Sequence, residues 1–71
     1  MTEERQRELL GKRVRELRLE KGMTQEDMRY HGFAYRHYQR IEAGEKDLRL
    51  STLSRLARTF KVRLRDLFDF E

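Results

Sequence analysis

The sequence predicts an all-α fold, a compact five-helix domain that takes in residues 1–71 as one unit. Three observations carry this. Apolar residues recur at spacings of three and four along most of the chain, the repeat of a single helix face. No stretch alternates apolar and polar residues as a half-buried strand would. Gly22, Gly32 and Gly44 stand where successive apolar repeats stop, the position at which helices end in the left-handed conformation.

The first helix covers residues 3–21, with Leu10, Val14 and Leu17 in one stripe. Thr2 is placed to cap it, and Glu3 and Glu4 lie in its first turn, where the helix dipole favours anions. A second helix starts at Thr24 and runs to about His31. The Thr24 hydroxyl is placed to accept from the Asp27 amide and the Asp27 carboxylate to reach back, a capping box with Asp in place of Glu. The third helix extends from about Ala34 to Ala43, with Phe33 before it and Tyr38 and Ile41 on its apolar side. Two short helices about a turn that contains Gly32 form a helix-turn-helix pattern. Residues 45–49 are a polar loop. The fourth helix, Leu50 to Phe60, has Leu50, Leu53, Leu56, Ala57 and Phe60 on one face. A short fifth helix, Leu64 to Phe68, turns Leu67 and Phe68 back onto the core. The remaining expected core residues are Leu10, Val14, Leu17, Met23, Met28, Phe33, Tyr38, Ile41 and Val62.

Composition removes several function classes. There is no cysteine, which excludes disulfides and thiolate zinc sites, so a domain this small must rely on helix packing or self-association. His31 and His37 fall in different helices with no carboxylate pair at ligand spacing, so no metal is expected. Ser51, Thr52, Ser54 and the two histidines form no nucleophile–base–orienter set. The domain is also too small to enclose a substrate pocket, so neither an enzyme, nor a cofactor, nor a small-molecule ligand is expected. Uncharged apolar runs such as Leu9-Leu10 are far shorter than a membrane span, and Thr2-Glu3-Glu4-Arg5 does not open a signal peptide, which points to a cytoplasmic protein. Seventeen Lys and Arg against thirteen Asp and Glu give a net charge of +4, a balance that fits phosphate, an anionic surface or simple solubility.

Met23-Thr24-Gln25-Glu26-Asp27-Met28, then Gly32, then Tyr38-Gln39-Arg40-Ile41-Glu42-Ala43-Gly44 resemble the Cro-type, lambda-repressor-like helix-turn-helix regulators. Gly11-Lys12-Arg13-Val14-Arg15-Glu16-Leu17-Arg18 is similar to that family's first helix. Leu50-Ser51-Thr52-Leu53, Leu56-Ala57, Phe60-Lys61-Val62 and Asp66-Leu67-Phe68 are similar to its last two. The resemblance implies a lambda-repressor-like fold, binding to double-stranded DNA and a role in transcription, as a repressor or controller. It places Tyr35, Arg36, Gln39 and Arg40 on the groove-facing side of the third helix. Gln25 opens the second helix where the family's glutamine meets a phosphate and braces the recognition helix. Thr24 and His37 flank this region as further backbone contacts, and Lys46 and Arg49 follow in the loop near the sugar-phosphate chain. Arg18 and Glu42 hold the positions of a family ion pair. The chain departs from the family in a turn one residue shorter, in Arg29 where Ala is usual, and in Lys61 where many relatives have Gly.

The third helix suits this role chemically. Arg bridges guanine O6 and N7, and Gln pairs with adenine N6 and N7. One such helix reads only a few base pairs, so a symmetric dimer on a palindrome is expected, with Leu64, Phe68 and Phe70 as its interface. Phe70 has no evident partner within one chain. The competing readings are a helical protein-interaction module and an antitoxin subunit that retains the fold. The first calls for acidic or apolar residues on the third helix, which instead carries Arg36 and Arg40 and no acid before Glu42. The second calls for a toxin-binding surface, for which only Asp69-Phe70-Glu71 is available.

Overall fold

The Thr2 hydroxyl accepts from the Arg5 amide at 3.1 Å, and α1 runs from there as Glu3–Glu20. In this computed structural model, which describes residues 1–70, α1 is the spine of the domain; α2 (Tyr35–Glu42), α3 (Leu50–Phe60) and the final 3-10 helix pack against it. The Thr24–Asp27 capping box forms with both bonds, Asp27 N to Thr24 Oγ1 at 3.1 Å and Thr24 N to Asp27 Oδ2 at 2.8 Å. The segment it opens, Glu26–His31, is a 3-10 helix. The last element, Leu64–Phe68, is also 3-10, started by the Arg63 amide donating to Asp66 Oδ2 at 2.8 Å. The chain is thus all-helical among the described residues, with two of the expected helices in the tighter 3-10 form. Runs of five or six residues leave too little length for α-type i→i−4 bonds to outnumber the end effects, so the tighter form takes over.

The core is Val14, Leu17, Met28, Phe33, Tyr38, Ile41, Leu56, Ala57, Phe60 and Leu67, with Leu10, Met23, Leu48, Leu53 and Val62 packed around it. Two expected members are elsewhere. Leu50 is 65% exposed: it is the first residue of α3, and the stripe it begins has nothing opposite it until Leu53. Phe68 is 45% exposed because neighbouring residues of a 3-10 turn diverge by a third of a circle, and Leu67 takes the inward direction.

Close contact between α1 and the end of α2 depends on two glycines. A Cβ at Gly11 would lie 2.6 Å from the carbonyl oxygens of both Ile41 and Glu42. Gly44 has φ 75°, and a Cβ there would lie 2.7 Å from the Glu8 Cα. At the end of α3 the chain makes the same left-handed turn without a glycine: Lys61 has φ 56° and ψ 44°. That conformation costs an L-residue about 1–2 kcal/mol, partly offset by the greater freedom glycine has when unfolded. Lys61→Gly is therefore expected to stabilise the domain by about 1 kcal/mol. In a thermal melt this is a rise of about 4–8 °C; an unchanged or lowered midpoint would show that the Lys61 side chain contributes more than the strain costs.

Candidate nucleic-acid interface

The eight residues of α2 divide into three faces. Tyr38 and Ile41 point into the core, and Tyr38 meets the Phe33 ring edge-on with centroids 5.7 Å apart. Arg36 and Arg40, four apart and so one above the other, emerge on the side opposite the buried pair and are exposed, as is His37. Tyr35, Gln39 and Glu42 occupy the flank that turns toward the first 3-10 helix; Tyr35 and Gln39 are half-buried. The Ala34 N-cap supplies no side-chain acceptor, so the first amides of α2 have no capping partner from it.

The flank is organised by a buried ion pair. Arg18 and Glu42 side chains are only 8% and 5% exposed. Arg18 Nε donates to Glu42 Oε2 at 2.6 Å and Nη2 to Glu42 Oε1 at 3.2 Å, a two-pronged contact, while Nη1 donates to the Met23 carbonyl at 2.7 Å. Gln25 Nε2 donates to Glu42 Oε1 at 3.0 Å, and Gln39 Nε2 donates to Gln25 Oε1 at 3.4 Å. Burial alone would raise the Glu42 pKa, but the hydrogen bonds it accepts, led by those from Arg18, hold it below the usual carboxylate range. The Arg18 guanidinium is pushed up by the same bond to Glu42. The Tyr38 hydroxyl is buried without a hydrogen-bond partner, and burial pushes its pKa well above the ordinary phenol value.

Of the residues expected at the interface, Thr24, Gln25 and Tyr35 line one open groove between the end of α1 and α2. Arg15 lines the same groove, and the sequence reading missed it; its place one turn before Arg18's neighbour Leu19 on an otherwise charged helix gave no local signal. Arg29, which the sequence marks only as a departure from the family, has its guanidinium 5.1 Å from the centroid of the Tyr35 ring, a cation–π contact. Thr24 already uses its hydroxyl in the cap. Arg49 is exposed at the N-cap of α3. Lys46 is half-buried and lies elsewhere, on the rim of an apolar groove of about 480 Å³ lined by Met1, Leu10, Leu48, Leu53, Phe68 and Phe70. Phe70, expected to lack a partner within the chain, is half-buried, 6.4 Å from the Phe68 ring. The Arg13 side chain donates to the Asp66 carbonyl at 2.8 Å and ties the final 3-10 helix to α1. Leu64 is 38% exposed and does not line that groove.

A short cationic helix held on its inner side by the core and on its flank by a preceding turn defines a helix-turn-helix DNA-binding protein of the transcription-regulator class. The chain belongs to the helix-turn-helix family of the Cro/C1 type, which it matches over residues 14–67. It is also similar to the restriction-modification controller protein C.AhdI from Aeromonas hydrophila. The two are 31% identical and superpose with a TM-score of 0.81, over 86% of this chain and 94% of that one. No curated protein matches the chain. Among the described residues no helix is long and apolar enough to cross a membrane.

Glu42 is ionised in the folded state at lower pH than when unfolded, so its contribution to stability is present above the unfolded value, about 4.3, and is lost as pH falls through the lower folded value. Melts of the protein are expected to lose stability increasingly below about pH 4 for this reason. Glu42→Ala strands a buried guanidinium and is expected to cost about 3–5 kcal/mol. The double variant Arg18→Met/Glu42→Ala loses less than Glu42→Ala alone; strictly additive losses in the double-mutant cycle would show that the two side chains are not coupled.

Proposed function

We propose that the protein binds double-stranded DNA sequence-specifically by laying α2 in the major groove, as a symmetric dimer on a palindromic operator, and that it acts as a controller or repressor of transcription rather than as an enzyme. The observation that carries this reading is the exposure of Arg36 and Arg40 on the side of α2 opposite its buried face, with Gln39 beside them. These side chains are the donors that distinguish guanine and adenine edges. Thr24, Gln25, His37, Lys46 and Arg49 supply backbone contacts in this reading, and the likeness to a restriction-modification controller supports the regulatory role.

Binding to a duplex selected from a random-sequence pool tests the assignment. Arg36→Ala, Gln39→Ala and Arg40→Ala are each expected to cost about 1–3 kcal/mol on the selected site and little on random duplex. Lys46→Ala and Arg49→Ala weaken binding to all sequences alike and each lower the slope of log affinity against log salt by about one. Equal losses on selected and random DNA for the α2 variants would remove them from base reading.

Leu64, Phe68 and Phe70 form the interface between copies in this reading. Phe68 is half-exposed beside the apolar groove, an arrangement that suits burial against a second copy. Half-sites then lie about 34–36 Å apart or a multiple of that. Sedimentation of the free protein is expected to give a dimer at micromolar concentration and a monomer for Phe68→Asp. A protein that stays monomeric and binds one half-site as tightly as the full palindrome would overturn the dimer.

A further inference from the structure

Glu42 lies too deep to touch DNA, with a side chain only 5% exposed, yet it is joined to the DNA-facing side of α2 through two amides. A carboxylate accepts hydrogen bonds and donates none. Gln25 therefore faces Glu42 with its Nε2, as the 3.0 Å contact requires. The amide is planar, so its Oε1 is turned the other way, toward Gln39. That oxygen can only accept, so Gln39 in turn presents Nε2 to it. What Gln39 has left for a ligand is fixed by elimination: its own Oε1 and one N–H.

We infer that Glu42 sets the polarity with which Gln39 meets a base, acting as a positioning residue through Gln25. This rests on the base-reading role of Gln39 proposed above. One acceptor beside one donor is the pattern that pairs with N6 and N7 of adenine. With the relay reversed, Gln39 would accept from Gln25 on one lone pair of Oε1 and keep both amide hydrogens free. A second donor for the two acceptors of guanine would then become available, and adenine would lose its advantage. The carboxylate forbids that reversal. A neutral amide at position 42 would not, because it can face Gln25 with either end. The Arg18 contacts strengthen the constraint: with Nε and Nη2 on both carboxylate oxygens, Glu42 has a fixed orientation from which to hold Gln25.

The test is a comparison of binding-site preferences, position by position, from a random duplex pool at constant salt. The proteins are wild type, Gln39→Ala, Gln25→Met and Glu42→Gln, each checked by thermal melting to be folded at the binding temperature. Gln39→Ala identifies the base pair that Gln39 reads. At that pair alone, Gln25→Met and Glu42→Gln are expected to reduce the preference for adenine over guanine about tenfold, the scale of a single base-edge contact. Preferences set by Arg36 and Arg40 stay as in wild type. Gln25→Met leaves the Arg18–Glu42 pair whole, so it decides the matter even if Glu42→Gln fails to fold. A Gln39→Ala loss confined to one base pair, with wild-type preference there in Gln25→Met, overturns the relay and leaves the base reading standing. Gln25→Met also loses its proposed backbone contact and so binds all sequences more weakly alike, which leaves preferences unchanged. A loss of preference spread over all positions in Gln25→Met or Glu42→Gln, rather than at the Gln39 pair, means a merely structural role and overturns the relay too. A uniform loss in Gln39→Ala overturns the base reading, and the relay with it.

Discussion

The buried contact between Arg18 and Glu42 is the constraint on which the arrangement of the domain depends. A charge taken out of water is tolerable only when every prong of it is matched, and here the guanidinium meets both carboxylate oxygens and the Met23 carbonyl. Those three partners belong to different parts of the chain: the last third of α1, the approach to the helix-turn-helix, and the final turn of α2. A pair of this kind adds little net stability over an apolar replacement, but it penalises every arrangement in which one partner is stranded. It acts with the glycine contacts, since α1 and the end of α2 come together closely enough for the pair only because Gly11 presents no side chain to the Ile41 and Glu42 carbonyls.

A second arginine on α1 does the corresponding work at the other end of the chain. Arg13, 16% exposed, donates to the Asp66 carbonyl and lies near Glu16, Glu20 and Asp69. It fixes the final 3-10 helix against α1 and so places Phe68 and Phe70. One helix thus carries two anchors five residues apart, one for the cationic face of α2 and one for the apolar groove. With no disulfide available, such long-range polar anchors supplement a core of ten buried apolar residues.

Much of this was legible in the sequence where the cause was local. The caps at Thr2 and Thr24–Asp27 and the span of α3 follow from residues three or four apart, and the structure places them as read. The 3-10 character of two elements was not legible, because short segments satisfy three-residue and four-residue repeats equally well. Leu50 and Phe68 were assigned to the core on periodicity, which says which residues share a face but not whether anything lies across from it at a helix end. The hold of Arg13 on Asp66 joins residues 53 apart and leaves no trace in local pattern. Gln25 was read as a brace for the third helix, but its bond to Glu42, which orients it, required the fold to bring them together.

The aim of Arg36 and Arg40 is a consequence of how little α2 can turn. Two helical turns must give one face to the core, one to the polar flank and one to solvent. At the start of the helix, the edge-on contact of Phe33 with Tyr38 fixes which side is inward. At its end, Glu42 is fixed by Arg18 and Gln25. Rotating the helix by a single residue position, about 100°, would draw Tyr38 out of the core and strand the Arg18 guanidinium in the same movement. Either loss alone is comparable to a large share of the stability of a domain this size. The two arginines make no fixing contact of their own and need none: the residues on the other two faces leave them a single direction.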